Sequence, residues 1–179
     1  MREEISIKVA PTEALDHLIR NSIIELCIAA HQEEDFKNLF TCTPSGGRHF
    51  LGYLGQTLVS HAVVTTRWLY LSDQQRLKTA YVDAVATHPD HQGQRFGSAT
   101  MQSLAQNIDD YDIVCLETER LSFYARLGWE AWQGELAYRD KNGLTPTPDQ
   151  TGIMILRLPQ TPSIDLNSLL AVEHDGRAW

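Results

Sequence analysis

At 179 residues with 42% hydrophobic content, the chain can bury one substantial core and reads as a single domain over residues 1–179. A formal net charge of −8 sets its field against nucleic-acid phosphates and toward a cationic partner. No apolar run reaches the roughly 18 residues of a transmembrane helix, and Met1-Arg2-Glu3-Glu4 lacks the basic-then-apolar order of a signal peptide, so no membrane association and a cytoplasmic location are expected.

Glu4 to Val9 alternates isoleucine and valine with polar residues and reads as a short half-buried strand. Pro11-Thr12-Glu13 offers a helix start, and from Ala14 to about Ala30 the positions Leu15, Leu18, Ile19, Ile23, Leu26 and Cys27 recur at helical spacing. His31 to Phe36 is a polar, acidic stretch, and Pro44-Ser45-Gly46-Gly47 breaks the chain. His49 to Leu54, the turn Gly55-Gln56 and Thr57 to Leu71 read as a β-hairpin, turned again by Ser72-Asp73-Gln74-Gln75. Leu77 to Thr87 is a third long strand. A helix from near Gln94 carries Phe96, Met101, Leu104 and Ile108 on its core face. Asp112 to Leu116 reads as a buried strand, Glu119 to Arg126 as a short helix ended by Gly128, and Trp129–Leu136 and Thr151–Leu158 as the last strands. A loop rich in glycine, proline and threonine separates these two, and Thr161 to Trp179 shows little periodicity. The order describes an α/β (α+β) domain on a single mixed sheet flanked by helices, without the regular βα alternation of doubly wound or barrel folds.

Cys27, Cys42 and Cys115 are odd in number and lack C-x-x-C or histidine pairing, so neither a disulfide framework nor a metal site is expected. His88 and His91 read as turn polarity rather than ligands. The most informative run is Tyr81-Val82-Asp83-Ala84-Val85-Ala86-Thr87 followed by His88-Pro89-Asp90-His91-Gln92-Gly93-Gln94-Arg95-Phe96-Gly97-Ser98. It is a strand bearing one acid, then a turn, then glycines opening a helix, whose free N–H groups and positive dipole end suit an anion. A P-loop would need a lysine after its glycine, and a dinucleotide fingerprint three glycines near the first strand; neither is present.

Gln92 to Ser98 resembles the acetyl-coenzyme A pyrophosphate loop of the GCN5-related N-acetyltransferases, with Arg95 in place of the central glycine. Ser122-Phe123-Tyr124-Ala125-Arg126-Leu127-Gly128-Trp129 is similar to a second segment of that superfamily, in the expected order. A narrower resemblance, to the aminoglycoside 2′-N-acetyltransferases, runs through Gly46-Gly47-Arg48-His49, Ser60-His61-Ala62-Val63, Tyr81 to Ala86, Gly93-Gln94-Arg95, Thr145-Pro146-Thr147-Pro148-Asp149 and Trp179. Gly-Gln-Arg is common in that family.

The resemblance implies a mostly antiparallel acetyltransferase fold, acetyl-CoA as co-substrate and, by family alone, a homodimer. Amide formation needs a proton acceptor, stabilisation of the carbonyl oxygen and a donor to the leaving sulfur. Asp83 is expected to take the amine proton through water, although a structural carboxylate fits the same position. The resemblance assigns the carbonyl to the Val85 N–H and the sulfur to Tyr124, which reads equally as a core tyrosine. Val85, Ala86, Thr87, Gln92, Gly93, Gln94, Arg95, Phe96, Gly97 and Ser98 are expected to bind the coenzyme.

On the acceptor side the expected residues are Asp35 and Glu33, which also fit a solvated acidic face, with Asp83, Ala84, Gln150, Arg177 and Trp179. The tail 161–179 is expected to contribute to this site. Where the family carries acids, this chain has Gln150 and Arg177. Polycationic drugs such as gentamicin should then fit less well, and kasugamycin, with few amines and a carboxylate-bearing amidine, should fit better. The expected activity is therefore acetylation of an aminoglycoside, kasugamycin in particular, with antibiotic resistance as its result. The alternatives are an acetyltransferase for another small amine and a drug-sequestering protein without chemistry.

Overall fold

A computed structural model describes residues 4–42, 46–72 and 74–179. Met1-Arg2-Glu3, the Pro44-Ser45 part of the expected chain break and Asp73 of the expected turn lie outside the described residues.

The strands are β1 (Ser6–Pro11), β2 (Arg48–Leu54), β3 (Thr57–Leu71), β4 (Arg76–Thr87), β5 (Ile113–Glu117), β6 (Glu130–Ala131), β7 (Leu136–Asp140), β8 (Gly143–Pro146), β9 (Ile153–Arg157) and β10 (Leu170–Glu173). The α-helices are α1 (His17–His31), α2 (Leu39–Cys42), α3 (Phe96–Gln106) and α4 (Leu121–Ala125). The described strands form one mixed sheet in the order β6-β9-β5-β4-β3-β10-β7-β8, with β2 beside β3 and β1 beside β2. The pairs β4/β5 and β10/β7 are parallel, while β1/β2, β2/β3, β10/β3, β5/β9, β6/β9 and β7/β8 are antiparallel. This is the mixed sheet with helices that the element order implied, and it is mostly antiparallel as the resemblance implied.

The chain organises into two compact units, the first Met1–Thr65 with Val82–Asn107, the second Thr66–Tyr81 with Ile108–Trp179. In the first unit, Asp16 caps α1 by accepting from the Ile19 N–H at 2.9 Å. The helix closes at Gln32 in the left-handed region, φ +59°. Ile23, Leu26 and Cys27 pack with Leu15, Leu51 and Ala86. Leu18 is instead 64% exposed: its expected place on the buried face is corrected, because the helix begins only at His17 and turns that position to solvent. The acidic stretch after α1 folds into a 3-10 turn, Glu34–Asn38. Helix α3 packs by Phe96, Thr100, Met101 and Leu104 and ends at Gln106, before Ile108. A side chain at Gly52 would meet Ser60 Cβ and Thr100 Oγ1 at 3.1 Å, so glycine there lets α3 settle against the hairpin.

In the second unit, Leu69, Leu77, Tyr81, Ile113, Ile155, Leu170 and Val172 form the core with Trp132 and Trp179. The expected strand Trp129–Leu136 is corrected to Glu130–Ala131 alone. The break has a physical cause: Trp132 Nε1 donates to Ser168 O at 3.0 Å, and a Cβ at Gly134 would stand 1.9 Å from that oxygen, so the backbone leaves the ladder to pack on residues 167–168. The expected loop between the last strands holds the hairpin β7/β8, and the aperiodic tail supplies β10.

Candidate active site

Within the first unit, Asp83, Ala84 and Val85 lie together near the end of β4, and all three are half-buried where strict alternation would bury every second residue. The cause is Ala84, whose φ of +48° places a non-glycine residue in the left-handed region. That conformation costs about 1–2 kcal/mol and persists only where its surroundings hold it. They do so through the carbonyls. Ala84 O accepts from His61 Nδ1 at 2.8 Å and from Cys27 Sγ at 3.9 Å, and Val85 O accepts from His31 Nε2 at 2.9 Å. Burial raises the Cys27 thiol to about 12, which leaves it an inert packing group.

The turn that follows is tied to itself. Gln92 Nε2 donates to Thr87 O and Gln94 Nε2 to Asp90 O, both at 3.2 Å, while His88 Nδ1 accepts from the Asp90 N–H. These contacts account for His88 as a turn residue. Gly93 and Arg95 are both left-handed, at φ +76° and +69°, so Arg95 adopts a conformation that favours glycine. It is the N-cap of α3, which has no side-chain cap and no acid in its first turn. Gly93 offers open space beside its backbone. The donor set fits a pyrophosphate.

Asp35 and Glu33 are exposed at the 3-10 turn. His31 connects this turn to the end of β4: its ring stacks on Phe36 at 4.9 Å while its Nε2 holds Val85 O. Glu34 pairs with Lys37 on the exposed surface.

The second unit gathers Gln150, Arg177 and Trp179. Trp179 is 6% exposed, and its Nε1 donates to Thr147 Oγ1 at 3.2 Å, joining the tail to the Thr147-Pro148-Asp149-Gln150 turn. Gln150 Nε2 donates to Glu117 Oε1 at 2.9 Å. The buried Arg67 anchors the tail, donating to Asp175 Oδ1 and Oδ2 and to the carbonyls of Glu173, Arg177 and Ala178. The guanidiniums of Arg67 and Arg177 lie 4.8 and 5.2 Å from the centroid of the Tyr81 ring. Tyr124 is 6% exposed, edge-on to Phe123 and Trp129, and burial pushes its phenol up to about 12.

His31, His61, Arg67 and Glu117 carried no role in the sequence reading. The available signal was weak: one histidine in the apolar run Val59-Ser60-His61-Ala62-Val63-Val64, and one arginine in a buried strand.

The family model of the acetyltransferase (GNAT) domain matches residues 20–132. An aminoglycoside 2′-N-acetyltransferase of Mycolicibacterium fortuitum is 31% identical over 181 residues, covering 96% of this chain and 91% of that one. Among solved structures, the GNAT family N-acetyltransferase YhbS of Escherichia coli, in complex with CoA, has a TM-score of 0.64 at 12% identity, covering 93% of this chain and 88% of that one. A probable N-acyltransferase from Enterococcus faecalis V583 has a TM-score of 0.57 at 20% identity over 72% of this chain, which spans 32% of that longer protein.

Proposed function

The chain belongs to the GNAT acetyltransferases and is an acetyl-CoA-dependent N-acetyltransferase, and from that premise we propose that it acetylates the 2′-amine of an aminoglycoside antibiotic in the cytoplasm and so inactivates it. The observation that carries the acceptor class is the 31% identity along 96% of the chain with an aminoglycoside 2′-N-acetyltransferase.

The ammonium loses its proton through water to Asp83, and the free amine attacks the thioester carbonyl. The Val85 N–H bonds to the oxygen as negative charge develops, where a fixed donor is most valuable. The C–S bond then breaks as the nitrogen loses its second proton and the departing sulfur takes one up, giving the amide and coenzyme A as the thiol. A phenol held at about 12 stays protonated, which favours Tyr124 as a hydrogen-bond donor to the departing sulfur over outright proton loss. The Gln92 to Ser98 loop and the start of α3 bind the pyrophosphate, with Arg95 adding charge.

For the acceptor we favour kasugamycin. The neutral Gln150 occupies Glu117, and Arg177 brings a cation over Tyr81, so the second unit offers fewer carboxylates to ammonium groups and one partner to a carboxylate. Asp35 supplies an acid for the amines that remain.

The test is incubation of the purified protein and acetyl-CoA with kasugamycin, gentamicin, tobramycin, kanamycin A and spermidine, following thiol release and product mass. Kasugamycin should turn over faster than gentamicin, and Arg177→Glu should lower its kcat/KM by about tenfold, the loss of one charge-assisted contact. Equal turnover by the variant removes the basis for kasugamycin. Acetylation of kanamycin A, whose 2′ position is a hydroxyl, contradicts the regiochemistry, and drug binding without product leaves only sequestration.

A further inference from the structure

Three side chains of the first unit form a hydrogen-bonded chain that ends on the Ala84 carbonyl. Thr12 Oγ1 lies 3.0 Å from His49 Nε2, His49 Nδ1 lies 2.9 Å from His61 Nε2, and His61 Nδ1 lies 2.8 Å from Ala84 O. Both histidines are 0% exposed and Thr12 8%. Two fully buried imidazoles in contact require a specific arrangement of protons, and the chemistry of the ends fixes it.

A carbonyl oxygen only accepts, so His61 Nδ1 carries a hydrogen. Burial keeps both rings neutral, His49 at about 4 and His61 at about 3. His61 Nε2 is therefore an acceptor and takes the hydrogen of His49 Nδ1. His49 Nε2 is an acceptor in turn and takes the Thr12 hydroxyl. That hydroxyl also lies 3.2 Å from Gly47 O, but its single hydrogen goes to the nearer His49 Nε2, the acceptor that the chain requires. One ordering of the protons, running from Thr12 to Ala84, satisfies the three contacts of the chain, and each donor polarises the next.

The end point gives the chain its consequence. Ala84 O and the Val85 N–H belong to one planar trans peptide and point in opposite directions. Holding the oxygen aims the N–H. His31 holds the next carbonyl, Val85 O, from helix α1, so both peptide planes around Val85 are fixed by imidazole donors from separate elements. Ala84, at φ +48°, is the residue at which an unheld plane would relax.

We infer that His61, backed by His49 and Thr12, is a positioning residue for acetyl transfer: by holding the Ala84 carbonyl it directs the Val85 N–H at the thioester oxygen. The inference rests on the proposed reading of Val85 as the donor to that oxygen. His61 itself touches neither substrate.

The decisive readout needs no acceptor amine. The infrared carbonyl band of carbonyl-labelled acetyl-CoA is recorded free and bound, for wild type, His61→Leu and His61→Asn, alongside kcat, acetyl-CoA KM and melting temperature. Wild type should shift the band to lower frequency. His61→Leu should lose most of that shift and lower kcat about 10- to 100-fold, part of the loss that follows removal of a whole oxyanion donor, with KM changed less than twofold. His61→Asn, whose amide N–H can reach Ala84 O, should recover most of both. No shift in wild type overturns the role of Val85 and the inference with it. A wild-type shift that persists in His61→Leu overturns the inference and leaves Val85 standing. Should His61→Leu fail to fold, nitrogen NMR of the wild-type histidines decides: hydrogen on Nδ1 of both His49 and His61 is required, and hydrogen on His61 Nε2 alone overturns the proposal.

Discussion

Arg95 is a left-handed residue at the entry of α3, φ +69°, with no cap of its own to offer the helix. Glycine adopts that conformation without the Cβ clash, so Arg95→Gly should raise stability by about 0.5–1 kcal/mol. The same change removes a cation from the loop proposed to bind pyrophosphate and should weaken acetyl-CoA several-fold. Urea unfolding and acetyl-CoA titration of one variant read both effects; a variant that binds acetyl-CoA undiminished would leave Arg95 a family marker only. Arg95 was legible because it interrupts a known pattern at a fixed spacing. Asp83 and Tyr124 could be singled out for the same reason. His61 could not, since its partner Ala84 lies 23 positions away and no local pattern joins them. Nor did sequence indicate the left-handed turn at Ala84, because alanine has no preference for it. The strain there is imposed by distant donors.

At the level of elements, legibility followed the strength of the burial pattern. Strands β3 and β4 were nearly complete in the sequence because long runs of their residues are buried. The hairpin β7/β8 was missed because all four residues of β8 are exposed, and β10 because four residues with three consecutive buried positions show no alternation. What fixes β10 and the segment after it is not periodicity but Arg67, whose side chain is 1% exposed against 39% for Asp175. Asp175 is too exposed to make the pair alone a large term. The carbonyls of Glu173, Arg177 and Ala178 are the greater part, because three acceptors lose one shared donor together. Arg67→Met, of similar length and uncharged, should cost about 2–4 kcal/mol by the loss of these bonds. Amide hydrogen exchange should accelerate across Glu173 to Trp179 more than in β5 or β9. Uniform exchange in the variant would mean that the tail is held by Trp179 packing instead.

For the whole molecule, the buried histidine pair makes stability depend on pH with a sign that can be worked out. In the unfolded chain His49 and His61 titrate near the ordinary 6.5, while in the folded state burial holds them at about 4 and about 3. Between these values the unfolded state binds more protons. Stability is therefore fully present above about pH 6.5 and falls as the pH drops toward 4, by up to about 1.4 kcal/mol per pH unit for each histidine. The net charge of −8 acts the other way, since protonation relieves self-repulsion. That term is spread over the surface and screened within about 8 Å at physiological salt, whereas the histidine term acts on two side chains wholly removed from water. The histidines should win. Urea midpoints at pH 7.5, 6.5 and 5.5 in 0.15 M salt should fall slightly between the first two, by about 0.7 kcal/mol for the pair, and by about 2 kcal/mol more at the third. His49→Gln together with His61→Asn removes both titrating groups, so its own midpoints should change much less between pH 6.5 and 5.5. If the double variant keeps the full wild-type slope, the proton uptake belongs to other groups. Because these protons are taken up by the unfolded chain while the folded rings stay neutral down to about 4, the chain that holds Ala84 O should persist across this window.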